Sequence, residues 1–193
     1  MSHPVSPLAP AQSPRLPALA GVRLATRECN LRYKNRTDVM LMEFAPGTTI
    51  AGVLTRSLTR SAPVDLCRKN LKGGKARAIL VNSGNANAFT GKAGVASVDR
   101  CSKALVGALK CKPGEVFLAS TGVIGEPLPD DKITANLPAL IKDLKADGWA
   151  AGAAAIMTTD TFPKLATRQA QIGDVTVTIN GFCKGSGMIA PDM

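Results

Sequence analysis

The distribution of apolar residues predicts hairpins near both ends of the chain. Two β-prone runs, residues 39–44 and 48–54, are separated by a Pro-Gly pair, a pattern typical of a hairpin. Near the other end, apolar residues alternate with threonines over residues 175–179, which predicts a strand. A Gly-Asp pair just before it predicts a second hairpin, formed with residues 165–172.

Between these hairpins, strands and helices are predicted to alternate. Residues 77–81 and 115–119 are short apolar runs that predict buried strands. Helices are predicted over residues 64–71 and 150–157. A third begins after a cap at Asp130 or Asp131. A fourth is predicted from an apolar stripe with a spacing of three or four, formed by Val95, Val98, Cys101, Leu105 and Leu109. This alternation favours a mixed α/β or α+β fold over an all-α or all-β one.

The composition suits one folded unit preceded by an arm. Five prolines fall within residues 1–19, which we expect to be disordered, and residues 20–193 would form the domain. Hydrophobic residues make up 45% of the 193, enough for a core that must be aliphatic because aromatic residues are scarce. No run of eighteen apolar residues predicts a membrane-spanning helix, and the arm lacks the apolar segment of a signal peptide.

Histidine and cysteine usage narrows the chemistry. The only histidine is His3, in the arm, which argues against histidine catalysis and against a zinc or other metal site in this chain. The cysteines contain no Cys-x-x-Cys pair and predict reduced, mostly buried thiols of a cytoplasmic protein. They are Cys29, Cys67, Cys101, Cys111 and Cys183.

The net charge of +10 raises the hypothesis of a nucleic-acid-binding domain. The basic residues are scattered, however, and aromatic residues that could stack on bases do not alternate with them. The simpler interpretations are a basic solvated surface or a surface that meets an acidic partner chain.

Two glycine-containing segments follow the predicted buried strands, where α/β proteins often bind ligands. They are residues 82–87, with Thr90-Gly91 just after them, and residues 120–125. In the second, Thr121 and Gly122 offer a hydroxyl and a backbone N–H side by side, which together can stabilise an oxyanion. The alternative is a glycine-rich turn that only redirects the chain, and the residues alone favour it.

Two further stretches could bind a substrate. Three threonines and a carboxylate lie within residues 158–161, after the predicted small-residue helix, and either bind a polar substrate or cap the chain locally. Lys184 has no acidic residue near it in the chain before Asp192, so it either holds a substrate carboxylate or is an ordinary exposed lysine.

The last ten residues have the pattern of a protein interior. Lys184 precedes a Gly-Ser-Gly triplet, a short apolar step and Pro191, whereas domain ends are usually polar. We expect a cleaved or truncated chain, in which Gly185 and Gly187 would permit a strained backbone near a scissile bond.

These motifs resemble the glutamate N-acetyltransferases, also called ornithine acetyltransferases, of arginine biosynthesis. The resemblance rests on Arg56-Ser57 with Ala62-Pro63-Val64, on residues 80–88, 120–125 and 156–161, in this order, and on the stretch from Lys184 to Met193. It implies an αβ fold of the self-cleaving, N-terminal-threonine-nucleophile type shared by ornithine acetyltransferases and DmpA-like enzymes. Cys183 and Asp192 depart from the usual pattern.

The resemblance also implies roles. Thr121 and Gly122 match an oxyanion-hole pair, and Thr158 and Lys184 match substrate-binding residues. The nucleophile would be the first threonine of a downstream β chain, outside this sequence. The implied reaction moves an acetyl group from N2-acetylornithine to glutamate without metal or cofactor, in an α2β2 heterotetramer. Some members also use acetyl-CoA as a donor.

Two alternative functions stay open at this point. One is a self-cleaving aminopeptidase of similar architecture, in which water replaces glutamate as the acceptor. The other is the basic nucleic-acid-binding domain.

Overall fold

Four strands form one mixed sheet in the order β1-β2-β3-β4. The computed structural model describes residues 4–185 and 192–193. The strands are β1 (Val22–Arg27), β2 (Val39–Phe44), β3 (Ala78–Asn85) and β4 (Val116–Val123). The first two pairs are antiparallel, and β3 runs parallel to β4, so the carboxyl ends of β3 and β4 lie side by side. The mixed α+β class predicted from the sequence is confirmed.

Three helices cover one face of the sheet. They are α1 (Ala62–Asn70), α2 (Gly91–Leu109) and α3 (Asp130–Lys142), with short 3₁₀ turns at Leu71–Gly73 and Pro113–Glu115. Alternate residues of the strands, such as Val39, Leu41 and Leu80, join these helices in an aliphatic core. Because strand side chains alternate between faces, the residues between them point to the opposite side.

The opposite face carries α4 (Trp149–Ala155) and a hairpin of β5 (Lys164–Ile172) and β6 (Val175–Cys183). A second core forms here around Met40 and Trp149, whose ring meets that of Phe182 edge-on with centroids 6.2 Å apart. Trp149 Nε1 is buried without a hydrogen-bond partner in the part of the chain that the structure describes. Because β5 pairs antiparallel with β6, the hairpin predicted between residues 165–172 and 175–179 is confirmed.

The described part of the arm, residues 4–19, forms no helix or strand. Leu16 is nevertheless buried in the second core, and Asn180 donates a side-chain hydrogen bond to the carbonyl of Pro17. Ser6 N donates to Thr161 Oγ1 at 3.0 Å. That residues 1–19 form a disordered arm stays a prediction.

The predicted first hairpin is wrong. β2 pairs with β1 and β3 instead, and residues 48–54 make only an isolated bridge, from Thr49 to Lys75. β1 is not evident from the sequence because charged residues interrupt it. In the sheet, Arg23 lies opposite Glu43 and the two form an ion pair at 2.5 Å, so the charge belongs to a strand pair.

Other boundaries also differ from prediction. The strands predicted over 77–81 and 115–119 continue to Asn85 and Val123, so much of the two predicted loops is strand. No aspartate caps α3, because Pro129 occupies the N-cap and Asp130 pairs with Arg100 at 2.7 Å. Val95, predicted in the apolar stripe of α2, is 60% exposed.

No helix within the described residues is long and apolar enough to cross a membrane.

The carboxyl ends of β3 and β4 approach each other unusually closely at Gly122. This residue pairs with Gly84 beside an irregularity in the register, and both have positive φ, +98° at Gly84 and +137° at Gly122. A Cβ at Gly122 would lie 2.3 Å from the carbonyl carbon of Gly84 and 2.5 Å from Asn85 N. Only glycine allows this backbone contact.

We therefore expect Gly122→Ala to destabilise the protein by more than about 3 kcal/mol, because a clash with backbone cannot relax by side-chain rotation. Gly125→Ala is the matched control, since Gly125 also has a positive φ of +85° but open space around its Cβ position. It should cost about 1–2 kcal/mol, the penalty of the left-handed backbone alone. Chemical denaturation of the full-length protein measures both, and equal losses would contradict the contact.

Candidate active site

A cavity of about 340 Å³ lies against the second face of the sheet and contains two of the predicted site residues. Thr121 of β4 and Lys184, just after β6, both line it. Most of the wall is apolar and comes from β2, β3, the end of α4 and β6. The predicted oxyanion and carboxylate-binding groups thus meet at one cavity, although they lie far apart in sequence.

The hydroxyl groups around this cavity divide into two kinds. Ser120 Oγ donates to Asn82 Oδ1 at 2.6 Å, and Ser83 Oγ donates to the carbonyl of Ala155 at 2.8 Å, so both are used within the fold. Thr121 and Thr158 hydroxyls have no hydrogen-bond partner within residues 4–185 and 192–193. Of these four hydroxyls, only those of Thr121 and Thr158 can donate a hydrogen bond to a ligand without breaking an internal one.

Gly122 adjoins Thr121 but does not line the cavity. It lies on β4, which has a neighbouring strand on one side only within the described sheet, so part of the backbone of β4 is open to a ligand. Its role as the second oxyanion donor stays a prediction.

Lys184 has no carboxylate partner in the described part of the chain. Its Nζ donates to the carbonyl oxygen of the next residue, Gly185, at 2.7 Å. Such a bond to a neutral acceptor leaves the positive charge uncompensated and available to an anion. The predicted cut-site features at Gly187 and the apolar step before Pro191 lie outside the described residues.

Thr158 does not line the cavity but follows one of its walls, Ile156, by two residues. Its backbone N–H donates to Asp160 Oδ2 at 3.2 Å. Asp160 also accepts hydrogen bonds from Gly185 N at 2.6 Å and from Lys164 Nζ at 2.7 Å, both through Oδ1. One carboxylate therefore connects the segment of Thr158 with the segment of Lys184.

The Asp160 carboxylate is held in its charged form. Its side chain is only 1% exposed, and desolvation by burial opposes ionisation. The hydrogen bond from Lys164 and those from the N–H groups of Thr158 and Gly185 outweigh this effect, so the pKa of Asp160 lies below its ordinary value. The stability it contributes is present above the unfolded pKa of about 4 and is lost as pH falls through the lower folded pKa.

One residue that fixes this segment is not evident from the sequence. Arg36, in the connection between β1 and β2, donates a hydrogen bond to the carbonyl of Met157. Nothing in the chain pattern points to it, because Arg36 lies in an irregular, polar stretch far from Met157 in sequence. The carboxylate of Asp160 was visible in the threonine cluster, but its partner Gly185 was not.

The asparagine-rich stretch serves the fold. Asn82 Nδ2 donates to the carbonyl of Asn85, and Asn87 Nδ2 donates to Ser97 Oγ and to the carbonyl of Gly94. These amides are buried and satisfied, so they hold the carboxyl end of β3 against the start of α2. A larger cavity of about 850 Å³ opens between α1 and α2, but none of the four predicted site residues lines it.

Two buried thiols cannot serve as nucleophiles at neutral pH. Burial raises the pKa of Cys29 to about 11 and that of Cys101 to about 12, with nearby Asp38 and Asp130 adding to the respective shifts. All five cysteines are free. No group of three or more histidine, cysteine or acidic side chains within the described residues could hold a metal ion.

Comparison with known proteins gives one consistent family. Curated relatives from Mesorhizobium japonicum and Agrobacterium fabrum, both described as arginine biosynthesis bifunctional protein ArgJ, are each 57% identical over all 193 residues. This chain spans about half the length of those relatives, 47% of each.

Two crystal structures have the same fold. The arginine biosynthesis bifunctional protein ArgJ of Bacillus halodurans matches with a TM-score of 0.84 at 33% identity, over 90% of this chain and 91% of that chain. The ornithine acetyltransferase of Mycobacterium tuberculosis, solved in complex with ornithine, matches with a TM-score of 0.80 at 34% identity, over 90% of this chain and 92% of that chain. The profile of the ArgJ family matches residues 23–193. This chain belongs to the ArgJ family.

Proposed function

We propose that this chain is the α chain of an acetyltransferase that moves the acetyl group of N2-acetylornithine to glutamate in arginine biosynthesis. The observation that carries the proposal is the shared cavity of Thr121 and Lys184, in a chain whose structural relative is an ornithine acetyltransferase with bound ornithine. A hydroxyl donor and an uncompensated cation suit an acetylated amino acid, which has both a carbonyl and a carboxylate.

A second chain from the same precursor would complete the enzyme. The chain covers 47% of the curated relatives but nearly all of the two matched crystal chains. This difference is what a precursor cut into two chains of similar length would produce. The cut would lie before a threonine that begins the β chain, and the apolar cavity wall beside Thr121 is a suitable place for that threonine to enter.

The proposed chemistry has two transfers. The threonine hydroxyl of the β chain attacks the acetyl carbonyl while its own α-amino group accepts the proton. Thr121 and Gly122 donate hydrogen bonds to the oxyanion of the tetrahedral intermediate. The C–N bond breaks, the proton passes to the leaving ornithine, and an acetyl-threonine ester remains. The amino group of glutamate then attacks this ester, which gives N-acetylglutamate and restores the threonine.

Several finer points belong to the same proposal. Each half-reaction balances with the two amino acids alone, so the scheme requires no metal or cofactor, and acetyl-CoA is a second candidate donor. We propose a cytoplasmic α2β2 heterotetramer that binds neither nucleic acid nor membrane.

The full-length protein should transfer labelled acetyl groups from N2-acetylornithine to glutamate without acetyl-CoA. Intact mass and N-terminal sequencing of the same preparation should find this chain together with one that begins with threonine. Release of free amino acids from peptides, without transfer to glutamate, would instead identify the aminopeptidase alternative. A single uncut polypeptide would refute the two-chain proposal.

Thr121→Ala should lower kcat about a hundredfold or more, as loss of one oxyanion donor does elsewhere. KM should change much less, because the hydrogen bond strengthens mainly in the transition state. Thr121→Ser, which keeps a hydroxyl, is the matched control and should retain most activity. Self-cleavage also passes through a tetrahedral intermediate, so the variant must be shown to be cut first. Unchanged kcat in Thr121→Ala would return this segment to a simple structural role.

Lys184→Met should lower kcat/KM about ten- to over a hundredfold, since it removes one charged hydrogen bond worth about 1.5–3 kcal/mol while keeping the aliphatic stem. Lys184→Arg should rescue poorly because its planar fork differs from an ammonium. The exposed Lys142 provides the control variant Lys142→Met. Wild-type kinetics of fully processed Lys184→Met towards both acetylornithine and glutamate would show that the lysine does not bind substrate.

A further inference from the structure

We propose that Asp160 is a positioning residue that holds the backbone of Thr158 and that of Lys184-Gly185 in the geometry that binds substrate. The inference rests on the proposed function of Thr158 and Lys184 and adds the group that connects them. Asp160 does not line the cavity, so it acts through these two segments.

Both oxygens of the Asp160 carboxylate are used. Oδ2 accepts the N–H of Thr158 at 3.2 Å, and Oδ1 accepts the N–H of Gly185 at 2.6 Å. The side chain is 1% exposed, so water cannot easily replace either bond. The loop after α4 and the segment after β6 are therefore connected through one buried charge.

Gly185 is independently fitted to this contact. A Cβ built on it would lie 2.6 Å from Asp160 Oδ1 and 3.1 Å from Lys164 Cε. Any other residue would push the carboxylate away or move the chain that carries Lys184. The absence of a side chain at Gly185 thus leaves room for the Asp160 contact in its present geometry.

The two lysines near this site have different tasks. Lys164 Nζ binds Asp160 Oδ1 at 2.7 Å and the carbonyl of Phe162 at 3.0 Å, and it lies 4.3 Å from the centre of the Phe162 ring. The positive charge of Lys164 is therefore compensated by the Asp160 carboxylate. Lys184 carries the charge that is left for a ligand, since within the described residues it binds only a backbone carbonyl.

The position of Lys184 thus depends on the Asp160 carboxylate, which forms an ion pair with Lys164 and bonds to Gly185 but not to Lys184 itself. If Asp160 loses its acceptor oxygens, the backbone at Gly185, directly after Lys184, is no longer fixed relative to Thr158. Small misplacements of binding groups have large effects on affinity and rate. Substrate binding should therefore suffer more than folding.

The test compares Asp160→Asn with the wild type in the full-length, fully processed protein. Asparagine keeps the shape but removes the charge and one acceptor. The dissociation constant of ornithine, measured by calorimetry, and the KM for acetylornithine should each rise about tenfold, with kcat within about threefold. Asp174→Asn, at the turn of the β5–β6 hairpin, is the matched control and should leave these values unchanged.

Gly185→Ala provides the second, independent variant. It should raise the same two constants, and the double variant Asp160→Asn/Gly185→Ala should lose less than the product of the single effects because both remove one contact. If Asp160→Asn fails to fold, Gly185→Ala decides alone. Wild-type constants in the deciding variant, or multiplicative losses in the double variant, would overturn the proposal.

The experiment also separates this inference from the proposed function. A wild-type protein that binds ornithine but transfers no acetyl group would refute the acetyltransferase, while the ornithine constants of the variants would still decide on Asp160. A structural role alone would lower the amount of folded protein but leave ornithine affinity of the folded fraction unchanged, and this result would overturn the positioning role. A wild-type protein that does not bind ornithine would overturn both.

Discussion

The backbone contact between Gly122 and Gly84 is the constraint on which the candidate active site depends. It draws the carboxyl ends of two parallel strands together without any side chain between them. In the register that results, Thr121 pairs with Ser83, and paired residues of neighbouring strands point to the same face. Ser83 is used to hold the end of α4, and Thr121 is left at the cavity. A wider spacing would lose both placements at once.

The two faces of the sheet differ in how their polar groups are satisfied. On the face covered by α1, α2 and α3, the buried polar groups bond within the fold. Asp38 accepts hydrogen bonds from the N–H groups of Cys29 and Leu31 at 2.7 Å each, and Asn85 Oδ1 accepts one from Asn87 N at 2.7 Å. On the other face, the apolar cavity is lined by the Thr121 hydroxyl, which has no hydrogen-bond partner within the described residues, and by Lys184, whose ammonium binds only a backbone carbonyl there. These groups are therefore the ones that the proposed function assigns to the substrate.

Much of this architecture could be predicted from the sequence, and the failures have physical causes. The β5–β6 hairpin and α2 follow local periodicity, which the pattern records directly. β1 could not be predicted because the charge of Arg23, which is unusual in a strand, is compensated only by Glu43 of the neighbouring strand β2. The predicted strands are shorter than β3 and β4 because a run of asparagines and serines normally indicates an exposed loop. Here these side chains form hydrogen bonds within the fold and continue the strands. The Asp160–Gly185 contact joins residues 25 apart, a distance that no local pattern spans.

The single tryptophan of this chain gives the second face an optical property. Trp149 is buried, its ring lies edge-on against Phe182, and Phe182 forms part of the cavity wall. An indole buried among apolar side chains, with no hydrogen-bond partner within the described residues, emits towards the blue, and its emission shifts when polarity or packing nearby changes. Light absorbed by this one side chain therefore reports on filling of the cavity beside it, with no label attached to the protein.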